Sequence, residues 1–193
     1  MNLKIAIVVF LGFIAFGLGL YGLSVRGYYP VIAVNYHFIS AAAADKYYGS
    51  AVNYLRGTIV ASKADPAALD DKNQLEEIRR AVLDKLVENS LIYQEVKARE
   101  KENLDEKVKK KIEQVGDLDK LKEKAGVVYG LTSDDFVNLV LIPEAYREVL
   151  QDDMLSVRED FNEWLQEVKR KAGVFVFKKG FGWDGQGIKI MPQ

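Results

Sequence analysis

The hydrophobic pattern changes character at Arg26. From Ile5 to Val25 the chain reads IAIVVFLGFIAFGLGLYGLSV, 21 residues without a charge, flanked by Lys4 and Arg26. As a helix rising ~1.5 Å per residue this run spans ~30 Å, the depth of a bilayer hydrocarbon core. Beyond Arg26 the pattern is that of a folded, mainly α domain. Pro30 to Asn35 is a short β-rich run, Tyr36-His37 a turn, and Ser40 an N-cap before four alanines. Tyr47, Tyr48, Ala51, Tyr54 and Leu55 recur at three- and four-residue steps, which predicts a helix over 41–56 with an aromatic face. Asp65-Pro66 opens the next helical stretch. A long helix is predicted over 71–102 with a wide apolar stripe through Leu75, Ile78, Val82, Leu83, Leu86, Val87, Leu91, Tyr93 and Val96, suited to packing between neighbours. Shorter helices are predicted over 104–115 and 117–125. Thr132 to Asp135 reads as a cap before the apolar run 136–142. Pro143 then restarts a helix whose apolar period of 3.6 continues over 144–171, ~40 Å in one piece. Gly173 ends it. Strand 174–177 follows, with 188–191 as its expected hairpin partner. The early run 31–35 is expected to pair with 174–177, so that a strand from each end of the chain closes the domain.

The first 26 residues are read as a retained signal-anchor and 27–193 as one domain. A secretory signal has a shorter apolar core and a small-x-small cleavage site, and neither Gly17-Leu18-Gly19 nor Leu20-Tyr21-Gly22 is a good one. The chain has no Cys, which excludes a lipoprotein anchor. The α-amine and Lys4 precede the span and Arg26 follows it, so the short tail is expected in the cytoplasm and the domain outside it, in a bacterial cell envelope. Tyr21, Tyr28 and Tyr29 fall where an interfacial aromatic belt would be.

Composition then removes several kinds of chemistry. With 27 basic and 28 acidic residues the formal charge is −1, and nothing suggests a nucleic-acid surface. Without Cys there is no thiolate catalysis and no Cys-ligated metal. His37 is the one histidine, lies in a predicted turn and lacks partners. The glycines of GFGWDGQG, 180–187, precede no helix that could bind a phosphate, so the segment is read as a turn. The adjacent pairs Asp134/Asp135 and Asp152/Asp153 do not face one another on a helix and read as capping or surface charge. No catalytic residue, cofactor or metal is expected.

Three segments in order resemble a known family. Ile32-Ala33-Val34-Asn35-Tyr36-His37-Phe38-Ile39-Ser40 is similar to an opening of the type VA-x-VNG-x-x-I-(S/T). Leu83 to Val96 is similar to a helix of the type L-x-x-LI-x-x-x-L-(I/L)-x-x-x-A, and Leu104 to Ile112 to the charged helix that follows. YGLTSDDF, 129–136, is similar to a later element before a long exit helix. Together, over roughly 30–172, they resemble the N-terminal chaperone domain of the SurA, PpiD and PrsA group of extracytoplasmic folding factors. Tyr36 stands where that family has Gly, so a different turn is expected. In the family the exit helix leads to a parvulin-type prolyl isomerase domain. Here the chain reaches Gln193 soon after, and that domain's histidines are missing. The resemblance therefore implies the chaperone part and no isomerase activity.

A membrane-anchored chaperone-like domain needs apolar and aromatic surface for unfolded or extended polypeptide, and no catalytic constellation. The residues expected to supply that surface are Tyr47, Tyr48 and Tyr54 on the first helix, with Phe136, Phe161 and Trp164 facing a cleft. The alternative is a membrane-tethered scaffold that uses the same domain for one fixed partner, with a flat patch in place of a wide cleft.

Overall fold

The computed structural model describes residues 22, 25–100 and 102–192. The expected span 5–25 lies outside the described residues but for Gly22 and Val25. Among the described residues no single helix is long and apolar enough to cross a membrane.

Strand β1 (Pro30–Val34) turns back into β2 (His37–Ser40) as an antiparallel hairpin, with Val34 opposite His37. The loop is Asn35-Tyr36, and Asn35 takes the left-handed conformation, φ 55°. Asn is one of the few residues that adopt it at low cost. The Gly that the family places next is therefore not needed here. Asn35 also fastens the chain ends. Its N–H donates to the Gly173 carbonyl at 2.7 Å, its Oδ1 accepts from the Gly173 N–H at 3.1 Å, and its Nδ2 donates to Gln94 Oε1 at 2.8 Å. Strand β3 (Val174–Val176) then pairs antiparallel with the free side of β1, Ile32 opposite Val176 and Val34 opposite Val174. The sheet order is β2-β1-β3, the expected closure by strands from both ends.

Helix α1 (Ala41–Ala61) starts under Ser40, whose Oγ accepts from the Ala43 N–H. It runs through Gly57, beyond the expected end at 56. Asp71 caps α2 (Lys72–Arg99) by accepting from the Asn73 and Gln74 N–H groups. This helix is the axis of the molecule. Leu83, Leu86, Val87 and Leu91 pack on Ile32 and Val34 of the sheet, while Ile92 and Val96 pack on Val149, Leu150 and Met154. Helices α3 (Leu104–Gln114) and α4 (Leu118–Tyr129) follow, the second ended by Gly130 at φ 65°, a left-handed C-cap. Thr132 accepts from the Asp135 N–H and opens α5 (Ser133–Ser156), which leaves α4 at 96°. Residues Val137–Leu141 of α5 are wound as a π-turn. A third apolar cluster, Ala125, Leu131, Phe136 and Leu141, fills the angle between α4 and α5.

Two expectations are corrected. The single helix over 144–171 is two: α5 ends at Ser156 and α6 (Phe161–Lys171) begins after a break in which Arg158 has φ 61°. The break has a physical holder. Arg99 donates to Glu95 at 2.7 Å, to Asp153 at 3.0 Å and to Glu159 at 2.8 Å, so a loop carboxylate is drawn back onto α2. These three carboxylates also raise the Arg99 pKa, the Glu95 hydrogen bond foremost. Second, the glycine-rich segment is not all turn. Phe181–Trp183 forms β4, and it is β4, not β3, that pairs with β5 (Ile188–Ile190). This hairpin docks on α2: Ile188 is fully buried, its N–H donates to Asp84 at 3.1 Å, and Arg80 donates to its carbonyl at 3.3 Å.

Candidate polypeptide-binding groove

Helix α1 crosses α2 with its small residues Ser50 and Ala51 toward the partner, which leaves a hollow that large side chains would have filled. The floor and sides are Tyr47, Ala51, Tyr54 and Leu55 of α1 with Ile78 and Val82 of α2, and Tyr129 of α4 forms the far rim. The hollow holds about 330 Å³ and is open to solvent. Its lining is almost wholly carbon, although the chain around it is 28% charged. A second apolar hollow of about 360 Å³ lies beside β2, between Ile39, Leu86, Tyr93, Ile142 and Tyr146. Among the described residues no group of His, Asp and Glu side chains is placed to hold a metal ion.

The six aromatic residues singled out in the sequence fall in three places. Tyr47 and Tyr54 line the α1–α2 groove. Tyr54 is 46% exposed and stacks on Tyr129 with centroids 5.4 Å apart, so the two rings form one apolar lip. Tyr47 has a structural task as well. Pro143 has no N–H to offer the Leu139 carbonyl one helical turn earlier, and the Tyr47 hydroxyl donates to that carbonyl instead. Burial lifts the Tyr47 phenol to about 12, offset in part by its bond with Asn89. Tyr48 lies outside the groove, under the Arg79 guanidinium 3.9 Å from its ring centre, and Arg79 is in turn bridged to Asp45. Phe136 is 5% exposed and belongs to the cluster between α4 and α5. Phe161 and Trp164 are half-buried against Val149, Leu150 and Met154, their rings 5.6 Å apart. No single cleft gathers Phe136, Phe161 and Trp164.

Sequence reasoning missed Ile78, Val82 and Tyr129 as groove residues. The first two read as part of the α2 core stripe, and nothing local marks them as uncovered. The signal that was present is Ala51 opposite a row of large residues, a gap in an otherwise bulky interface. Tyr129 falls on the groove only because Gly130 ends α4 there. Asn53 marks that junction, its Nδ2 donating to the Tyr129 carbonyl at 3.4 Å.

A long central helix, a second helix crossing it over an open apolar groove, and closure by strands from both chain ends define a small helical cradle. A family model described as SurA-like N-terminal domain matches residues 1–125. That is well over half of the 193 residues, and the chain belongs to this family. Searches among curated proteins and among solved structures returned no match.

Proposed function

We propose that this chain is a membrane-anchored, non-catalytic chaperone-like protein that holds unfolded or extended polypeptide in the α1–α2 groove, outside the cytoplasm. Residues 1–26 are the anchor and 27–193 the holding domain. The observation that carries the reading is the groove itself: open to solvent, with a surface that is almost wholly apolar and walls of rings and aliphatic side chains, Ser50 and Lys85 being the other polar lining residues besides the tyrosine hydroxyls. Such a site rewards apolar area without demanding a sequence, as a holder of varied clients requires. Membership in a family of chaperone-type domains supports it. The uncharged run 5–25 supports the anchor, and the charge difference across it supports the orientation. A scaffold for one partner would gain specificity from fixed polar contacts, which this groove offers sparingly.

The test uses the full chain in nanodiscs mixed with a chemically unfolded model protein, with light scattering as the readout. Suppression of aggregation at near-stoichiometric ratios is expected. Tyr54→Ser and Ile78→Ser should each weaken it several-fold while circular dichroism stays native-like. Suppression that is absent, or equally strong in both variants, would remove the groove as the holding site.

A further inference from the structure

The sheet has a second face, turned away from α2. In an antiparallel sheet directly opposed residues share a face, and residues two apart along a strand share it as well. Ile32 and Val34 are fully buried against α2, with Ile39 and Val176 beside Ile32, so that side is inward. His37 faces Tyr93 of α2, which agrees. The outward row is then Phe38, Ala33 and Phe175, with Ala33 directly opposite both phenylalanines. Phe177 extends the row past β3, its N–H donating to the Val31 carbonyl at 2.8 Å. These three phenylalanines, brought together from positions 38, 175 and 177, are 71%, 67% and 58% exposed. Tyr36 at the hairpin tip and Tyr28 and Tyr29 before β1 are exposed too.

Three exposed phenylalanines on one sheet face, two of them flanking the buried Ala33, form an apolar patch of the kind that marks a contact surface. Two observations identify what covers this one. The uncharged run 5–25 ends five residues before β1 begins, so whatever that run inserts into lies within the ~17 Å reach of that short linker from the sheet. The charge pattern also fits a surface of anionic headgroups. No Asp or Glu occurs in residues 1–44 or in 172–183, the stretches that hold all three strands, although the chain has 28 acidic residues. The ionisable residues of the described stretches are instead Arg26, His37, Lys178 and Lys179, together with tyrosines.

We propose that the outward face of the β2-β1-β3 sheet lies on the lipid bilayer, with Phe38, Phe175 and Phe177 in the interfacial layer and Arg26, Lys178 and Lys179 on anionic headgroups. The inference rests on the anchored reading above. It adds a second attachment that fixes the domain's orientation, since one helical tether alone would leave the domain free to swing. Apolar area inserted at the interface and cationic attraction to acidic lipid act together in such contacts. Aromatic rings favour that layer.

The absence of Cys makes the test direct, because one introduced thiol is the only one. Full-length chain carrying Phe175→Cys, Phe38→Cys, Ile14→Cys or Glu106→Cys is labelled with an environment-sensitive dye. Each is reconstituted into phosphatidylcholine vesicles with or without phosphatidylglycerol, and quenching by brominated acyl chains is measured. Dyes at 175 and 38 should shift to the blue and be quenched several-fold more than the dye at 106 on the charged helix α3. The difference should grow with phosphatidylglycerol and shrink in Lys178→Gln/Lys179→Gln. A dye at 175 as wet as the one at 106, while the dye at 14 is quenched, would overturn the docked sheet and leave the anchor standing. A dye at 14 that is not quenched would overturn the anchor itself, and the docking with it. A blue shift at 175 that ignores lipid bromination would overturn the proposal in favour of a second copy, or of the chain's own apolar run, covering the face.

Discussion

The two walls of the groove are held in different ways. The α1–α2 wall stands on the base of the molecule, where β1 is paired on both sides and Ile32, Val34, Leu83 and Val87 leave almost no surface to water. The α4 rim belongs to a lobe with its own small cluster of Ala125, Leu131, Phe136 and Leu141. That lobe reaches α1 through the Lys46–Asp135 ion pair at 2.6 Å, the Tyr47 bond to the Leu139 carbonyl, the Asn53 bond to Tyr129 and the Tyr54–Tyr129 stack. Most of these links are solvent-accessible, and exposed ion pairs are worth about 0–1 kcal/mol each. One wall is therefore fixed by burial, while the α4 rim meets it across the groove through weak, separable contacts and is tied to α2 only further along α5, where Val149, Leu150 and Met154 are buried. A groove of this kind can change width without unfolding its base, which suits a site that meets unlike segments.

The largest effect is expected from removing what fixes the base. Deleting 173–193 takes away β3, which pairs with β1, and the fully buried Ile188. A loss of more than about 4 kcal/mol in urea unfolding is expected from lost apolar burial and from unpaired backbone groups of β1. An unchanged midpoint would show that the base does not depend on its closing strand.

The lobe should respond differently to a comparable insult. Phe136→Ala opens a cavity in a cluster of only a few side chains, at a local cost of about 3–5 kcal/mol. Amide exchange should quicken across 118–141, while the amides of α2 from 82 to 96 stay protected to the global limit. Equal acceleration in both regions would mean that the two walls are one cooperative unit.

What the sequence disclosed follows the same division. The base was legible because its signals are local and redundant: Ser40 before four alanines, Asp71 before α2, and two β-branched runs at the chain ends. The family resemblance also rested mostly on that part, and the match over 1–125 covers most of it. The errors arose where a long-range partner decides. The helical period runs unbroken through Met154, Val157 and Phe161, and the grip of Arg99 on Glu159 has no local trace. Even so, Asp160 accepting from the Glu163 N–H is a capping pattern that the sequence displays as Asp-x-x-Glu. The β4–β5 hairpin was also readable, since Asp184-Gly185 between alternating apolar residues is a strong hairpin signal. The groove was only half visible, because tyrosine spacing reveals a face and not which part of it is left uncovered.

A gentler probe acts on the joint between the walls. Tyr47→Phe keeps the ring in the groove and removes the hydroxyl that bonds the Leu139 carbonyl and Asn89, so a loss of ~1 kcal/mol is expected. The pH dependence follows from burial of the phenol. Its pKa rises from 10.0 to about 12 in the folded protein, so the unfolded chain gives up this proton first. The stabilisation is complete below the unfolded value and is lost as pH rises through the folded one. Between those two values wild-type stability should fall more steeply than that of Tyr47→Phe. Parallel profiles would show that this hydroxyl is not buried at the joint.

The smallest effect is expected at His37, and it separates holding from chemistry. Its ring is exposed on β2 and meets Tyr93 edge-on with centroids 6.1 Å apart. An edge contact of this kind is worth about 0.5–1.5 kcal/mol when packed, and less where water reaches it. His37→Ala should therefore cost less than about 0.5 kcal/mol, the usual range for a surface substitution. It should leave aggregation suppression unchanged, because no step in holding an apolar segment needs a proton. It should also leave X–Pro isomerisation at the uncatalysed rate, tens to hundreds of seconds at 25 °C. Peptide isomerisation above that rate that disappears in His37→Ala would turn a passive cradle into a catalyst. It would also move the active surface from the α1–α2 groove to the hollow beside β2, across the molecule's fixed base.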